Sequence, residues 1–190
     1  MKNEQKNAFW SSLLIGAKLL LICAIVAGTV SLVFQLTKEK YAENLQKTKD
    51  EAVAAIFETE GLTSRELSVK DGTVVYAVYD ANGSFFGYCV EVAGKGFGGD
   101  IGMMVGYDAN REILGVRVVS HSETPGLGAK IKTDAWFLEQ YAGKSGEVTL
   151  GEDVDAIVGA TVSSKAVTAG INLATETLDR VLAENGGVGQ

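Results

Sequence analysis

From Ser11 to Leu36 the chain reads SSLLIGAKLLLICAIVAGTVSLVFQL, an almost wholly apolar run. The part from Leu19 to Leu36 alone nearly reaches the ~20 residues that a helix needs to cross the hydrocarbon of a bilayer. Lys18 interrupts the run near its start, where its stem can follow the apolar surface and carry the ammonium to the headgroups. A secretory signal would end in a small-residue cleavage site. Here KEKYAENLQ follows instead, and the run reads as an uncleaved anchor. Lys2 and Lys6 flank one side and Lys38, Lys40, Lys47 and Lys49 the other, so the positive-inside rule alone leaves the topology open.

The 190 residues leave room for one anchored domain of ordinary size. Residues 1–10 read as a tail, 11–36 as the anchor, 37–61 as a connecting helix and 62–190 as a soluble domain. From Tyr41 to Gly61 the residues are charged, with a loose apolar stripe of Ala42, Leu45, Ala52, Ala55 and Ile56. After Leu36 the chain carries 14 basic and 23 acidic residues, a balance that repels nucleic acid phosphates. Cys23 and Cys89 lie far apart, the first inside the apolar run, so one chain builds neither a disulfide framework nor a thiolate metal cluster. Cys89 reads as a small packed residue, and the single His121 cannot make a multi-histidine metal site. No metal site is expected, and no internal repeat is visible.

Beyond the connecting helix, strand-like runs alternate with turns: RELSVK, TVVYAVYD, SFFGYCVEVAG, IGMMVGYD and REILGVRVVSHSE. Asn82-Gly83 between apolar runs predicts an antiparallel hairpin. A short helix follows around Asp134 to Tyr141, then a brief extended segment, then a helix from about Val162 to Ala183. Its stripe is Val167, Ile171, Ala174, Leu178, Val181 and Leu182, with Asn172, Thr175, Glu176 and Asp179 elsewhere. The expected fold class is α+β, a mainly antiparallel sheet with packed helices, preceded by one transmembrane helix.

Three segments could carry chemistry. In DAIVGATVSSKAV, Thr161 opens the last helix, and a threonine there commonly caps it. Yet Gly159 and Ala160 are small, DAIV reads as a buried strand end, and Thr161, Ser163 and Ser164 cluster hydroxyls at the helix start. Free N–H groups and the positive dipole end suit that place to a phosphate. In SHSETPGLGAK, Pro125-Gly126 signals a turn, and Glu123 and His121 are either solvated loop residues or part of a ligand contact that Gly126 and Gly128 would let come close. Ser120, His121 and Glu123 are too near in sequence to form a hydrolase triad readily. GKGFGGDIGMMVGYD matches neither nucleotide-binding glycine fingerprint, and its glycines read as a tight sheet turn.

VGATVSS preceded by Asp155, HSETPGLG upstream, GKGFGGDIGMMVGYD before that, and one N-terminal span together resemble the FMN-binding G subunit of the Rnf electron-transport complex. They are also similar to the C subunit of the sodium-translocating NADH:quinone oxidoreductase; the compact length favours the first. The resemblance implies FMN joined by a phosphoester to a threonine hydroxyl, here Thr161, by a separate flavin transferase. The pattern that enzyme recognises matches at Asp155, Gly159, Ala160 and Thr161, with Val158 where a hydroxyl residue is common. Ser163 and Ser164 complete the expected site, and Glu123, Thr124, Gly126, Leu127 and Gly128 are implied flavin contacts. The resemblance further implies a single-pass plasma-membrane protein with an extracytoplasmic flavin domain, working with the other Rnf subunits as an electron carrier rather than a self-sufficient enzyme. A membrane-anchored FMN module with a regulatory or scaffolding role is the alternative; the chain shows no added sensor or signalling domain that would favour it.

Overall fold

The computed structural model describes residues 2–70 and 72–185. Two compact units divide the chain, residues 1–46 and 47–190. One helix, α1 (Lys2–Phe57), takes in the expected tail from residue 2, the anchor and the connecting segment as far as Phe57; Met1 lies outside the described residues. In the first unit Leu19, Leu20, Leu21, Ile22, Ile25 and Val26 are all exposed. Among the described residues this is the one helix long and apolar enough to cross a bilayer, and it serves as a single membrane anchor.

The second unit is built on a five-stranded antiparallel sheet in the order of the chain: β1 (Thr63–Lys70), β2 (Thr73–Tyr79), β3 (Phe85–Lys95), β4 (Asp100–Tyr107) and β5 (Ile113–Ser120). The strands are rich in Val, Ile and aromatic residues that suit a pleated surface. Their period of two divides the core. Val75, Tyr88, Val90, Val92, Ile101, Met103, Val105 and Tyr107 face one side. Val78, Cys89 and Met104 face the other, with Ala52, Ile56 and Phe57 from the end of α1 packed on them. Cys89 is fully buried, as expected of a packed residue, and burial pushes its thiol up to about 12.

The turns of the β2–β3 and β4–β5 hairpins repeat, a feature that reading the strands one by one passes over. Tyr79-Asp80-Ala81-Asn82 and Tyr107-Asp108-Ala109-Asn110 each place a glycine eight residues after the tyrosine, at Gly87 and Gly115. In both, the aspartate Oδ1 accepts two backbone N–H groups at 2.8 Å, from Asn82 and Ser84 and from Asn110 and Glu112. The glycines have a use: Gly87 pairs with Val78 and Gly115 with Gly106, under the last turn of α1. A Cβ on Gly106 would collide with Ile56 Cγ2, and one on Gly87 would collide with the Tyr107 carbonyl oxygen and lie 3.1 Å from the Phe57 ring. Lys49 Nζ also reaches Glu91 Oε1 at 2.7 Å, tying this end of α1 to β3.

After β5 come α2 (Lys130–Thr133) and α3 (Ala135–Glu139); α3 is the short helix expected around 134–141, and α2 precedes it within the segment expected as loop. The last helix, α4 (Thr161–Asn185), covers the larger face of the sheet and starts at Thr161 itself. Val167, Ile171, Ala174, Leu178 and Val181 are buried as expected. Thr175, expected off the stripe, is buried as well. Its hydroxyl bonds the Ile171 carbonyl at 3.1 Å and the Tyr107 hydroxyl at 3.0 Å, so burial strands no polar group. Thr168 does the same with the Ser164 carbonyl and Tyr141.

Candidate functional site

The segment from Val148 to Ala160 has almost no regular secondary structure, and side chains hold it in place. Asn172 of α4 grips Val148 through both its amide atoms, accepting from N and donating to O at 2.9 Å each. Gln140 grips Asp155 in the same manner, accepting from its N–H at 2.8 Å and donating to its carbonyl at 3.2 Å. DAIV is therefore not the strand end that its apolar character suggested. The Gln140 amide satisfies the Asp155 N–H and carbonyl, and no described strand lies beside the segment; Leu150 and Val154 form only an isolated bridge.

At Ile157 the chain turns. The Ala160 N–H donates to the Ile157 carbonyl at 3.0 Å, and Gly159 between them has φ +80°, where a residue with a Cβ is strained. Ser164 Oγ, fully buried, accepts the Ile157 N–H at 3.1 Å and donates to the Ala160 carbonyl at 3.0 Å. The turn thus delivers Thr161 to the first position of α4. Thr161 is exposed, and its hydroxyl bonds no other described residue. It does not act as the helix cap: a capping side chain belongs to the residue before the first helical one, and that residue is Ala160. The N–H groups of Thr161, Val162 and Ser163 have no carbonyl partner within the helix.

The loop after β5 comes alongside. The Thr124 carbonyl accepts the N–H groups of Leu127 and Ala129 at 3.2 and 3.1 Å, folding TPGLG into a compact turn. Glu123 is not solvated: 5% of it is exposed. Its carboxylate accepts the Gly98 N–H at 2.8 Å on Oε1 and the Ser163 hydroxyl on Oε2. One side chain therefore joins the β3–β4 turn, the loop after β5 and the start of α4. Burial pushes this carboxyl up, but the bonds from Ser163, Gly98 and the Phe97 N–H outweigh it and hold it below the usual carboxylate range. Gly128 makes the close approach possible, since a Cβ there would stand 2.5 Å from Glu123 Oε2 and 2.7 Å from Ser163 Oγ.

Between these elements lies a cavity of about 380 Å³, lined by Phe97, Glu123, Thr124, Leu127, Gly128 and the run from Gly159 to Ser163. That volume falls in the range of small-molecule sites. One wall offers a free hydroxyl and unpaired helix N–H groups, suited to a phosphate. Beside the polar Glu123 and Thr124, Phe97, Leu127 and Val162 add exposed apolar surface, 77%, 52% and 53% accessible. An anionic group with a flat apolar ring attached matches both halves.

Residues 96–176, which include every residue lining this cavity, match the family model described as FMN-binding domain. The chain is 32% identical over 179 residues to the G subunit of the ion-translocating oxidoreductase complex of Methanosarcina acetivorans, covering 88% of this chain and 93% of that one. It is 30% identical over 166 residues to the G subunit of the Na(+)-translocating ferredoxin:NAD(+) oxidoreductase complex of Acetobacterium woodii, covering 80% and 79%. The chain belongs to this family of G subunits. Among solved structures it shares a fold with the C subunit of the Na(+)-translocating NADH-quinone reductase from Parabacteroides distasonis. That match has a TM-score of 0.58 at 17% identity and covers 77% of this chain and 96% of the other.

In this member of the G-subunit family, eight of the ten residues expected at the site line the one cavity: Glu123, Thr124, Leu127, Gly128, Gly159, Ala160, Thr161 and Ser163. Gly126 sits in the loop turn with φ +76°, and Ser164 lies behind the wall, holding the Ile157 turn. Ser163 turns its hydroxyl to Glu123. Phe97 and Val162 line the cavity but were missed. The signal for Phe97 was available: an aromatic among glycines at a hairpin tip buries nothing within its own strand pair. Val158, at 93% exposure, occupies the outer corner of the turn, so its lack of a hydroxyl leaves the Thr161 geometry untouched.

Proposed function

We propose that this chain is a membrane-anchored flavoprotein that carries electrons within an ion-translocating ferredoxin:NAD oxidoreductase complex, with FMN joined through its phosphate to Thr161. The observation that carries the reading is the free, exposed Thr161 hydroxyl at the mouth of the cavity, beside unpaired helix N–H groups and the Glu123–Gly128 loop. FMN would supply reversible one- and two-electron chemistry.

Each residue then has a task. The turn from Ile157 to Ala160 presents the Thr161 oxygen to a flavin transferase, and the N–H groups of α4 stabilise the phosphate charge there. Phe97, Leu127 and Val162 offer apolar surface to the ring and limit water around it. The Thr124–Ala129 turn sets the opposite wall. A bond at the phosphate end leaves the ring electronics unchanged, so it serves retention. Retention matters for a domain outside the cytoplasm, where we place the second unit, with the N-terminus inside and the other members of the complex as electron partners.

The test is to express the full chain with a flavin transferase and illuminate a denaturing gel with ultraviolet light. Wild type gives a fluorescent band and Thr161→Ala none. A band that survives the substitution, or an absent band in wild type, overturns the attachment. In the assembled complex Thr161→Ala abolishes ferredoxin-dependent NAD reduction; full activity would instead favour a regulatory or scaffolding role.

A further inference from the structure

Glu123 poses a problem that its role as a fastener does not solve. A carboxylate that is 5% exposed loses much of its hydration, and none of the ion pairs among the described residues includes it. His121 lies beside it, and its Coulombic pull is the smallest of the effects that favour the charged carboxylate. The charge is met chiefly by neutral donors: the Ser163 hydroxyl and the Gly98 and Phe97 N–H groups.

Those contacts do not need a charge. A glutamine could accept the Gly98 N–H on its oxygen and donate from its nitrogen to Ser163 Oγ, since a hydroxyl can reverse its role. The three segments would stay joined. What a glutamine could not provide is a fixed negative charge in the wall of the cavity.

We infer that Glu123 acts as a fixed negative charge that holds the midpoint potential of the bound flavin low. The inference rests on the reading that the cavity receives FMN. Taking up two electrons and one proton, with the electrons supplied by a reduced redox centre of a neighbouring protein in the complex, leaves one negative charge on a flavin ring. A buried carboxylate in the wall of the same cavity raises the energy of that charged product more than that of the neutral oxidised ring, because like charges repel. The flavin is then a stronger reductant than the same ring in a neutral site. Glu123 is in this sense a tuning residue that takes no proton and makes no bond to the ring.

The experiment uses the full chain expressed with a flavin transferase and solubilised in detergent. Flavin load is read by in-gel fluorescence, and the midpoint potential by dithionite titration with mediators at constant pH, following flavin absorbance. Glu123→Gln keeps the fastening and removes the charge; the expected result is full flavin load and an upward shift in potential. Glu123→Asp keeps the charge but is too short to span both partners; its potential stays near wild type. An unshifted Glu123→Gln, or Glu123→Asp shifted as far as Glu123→Gln, overturns the inference while leaving the FMN reading intact. A Glu123→Gln chain that takes up no flavin overturns it too, since the charge would then serve loading. Absence of flavin from wild type removes the FMN reading itself, and this inference with it.

Discussion

Replacing Ser164 by Ala tests how the attachment turn is held. The Ser164 hydroxyl makes two bonds, from the Ile157 N–H at 3.1 Å and to the Ala160 carbonyl at 3.0 Å. The second loss is mild, because the Ala160 carbonyl keeps the Ser164 N–H at 2.9 Å. The first strands a donor: Ile157 is 2% exposed and no other bond from its N–H exists among the described residues. A buried unsatisfied group costs about 1–3 kcal/mol, while an exchanged hydrogen bond is worth about 1 kcal/mol. The cavity left by one oxygen in a fully buried place adds little. The expected destabilisation is therefore about 2 kcal/mol, or roughly a thirtyfold larger open fraction at about 1.4 kcal/mol per decade. Urea unfolding of the solubilised full chain reads the global loss, and hydrogen exchange at the Ile157 amide reads the local one. A Ser164→Ala chain within about 0.5 kcal/mol of wild type, with the Ile157 amide still protected, would refute the reasoning.

Three further outcomes follow from the same geometry. Gly159→Ala forces a Cβ onto φ +80° and lowers stability by about 1–2 kcal/mol, read by thermal melting; an unchanged melt means that the turn tolerates the strain. Ile56→Ala opens a cavity over Gly106 and Gly115 and costs about 2–5 kcal/mol by urea unfolding, whereas exposed Ala55→Ser costs little; equal effects would dismiss the seat described for α1. Burial, reinforced by Glu91 and then Glu66, pushes the Tyr76 phenol from 10.0 to about 12. The folded state therefore holds that proton more tightly than the unfolded one, so its contribution is complete below pH 10.0 and disappears as pH rises from there through about 12. Tyr76→Phe flattens that alkaline loss of stability; an identical pH profile in the variant contradicts the assignment.

The site was legible where chemistry depends on residue type and order. Thr161 after Gly-Ala, and Glu123 to Gly128 after a strand, were identifiable as hydroxyl, small-residue and turn patterns, and the cavity brings eight of the ten expected residues together. Glu123 was legible as a member and not in its manner of acting: a loop glutamate next to Thr-Pro is ordinarily solvated, and only the meeting of three distant segments buries it. Phe97 escaped because its partners lie 26 and more positions away, at Glu123 and beyond. DAIV misled because three apolar residues after an aspartate have no period long enough to separate a strand from a loop clamped by Gln140.

The sequence by itself determined the anchor, the strand hairpins and the apolar stripe of α4, because each depends on local length, period or turn residues. It also carried the threonine and the small residues before it. Only the tertiary structure decided that Thr161 stands free rather than capping, that Ser164 holds the turn, and that Thr175 is buried against Tyr107. Those outcomes turn on which polar groups meet after the sheet has closed under α4. Hydrogen bonds are satisfied between neighbours in space, and sequence spacing does not name those neighbours.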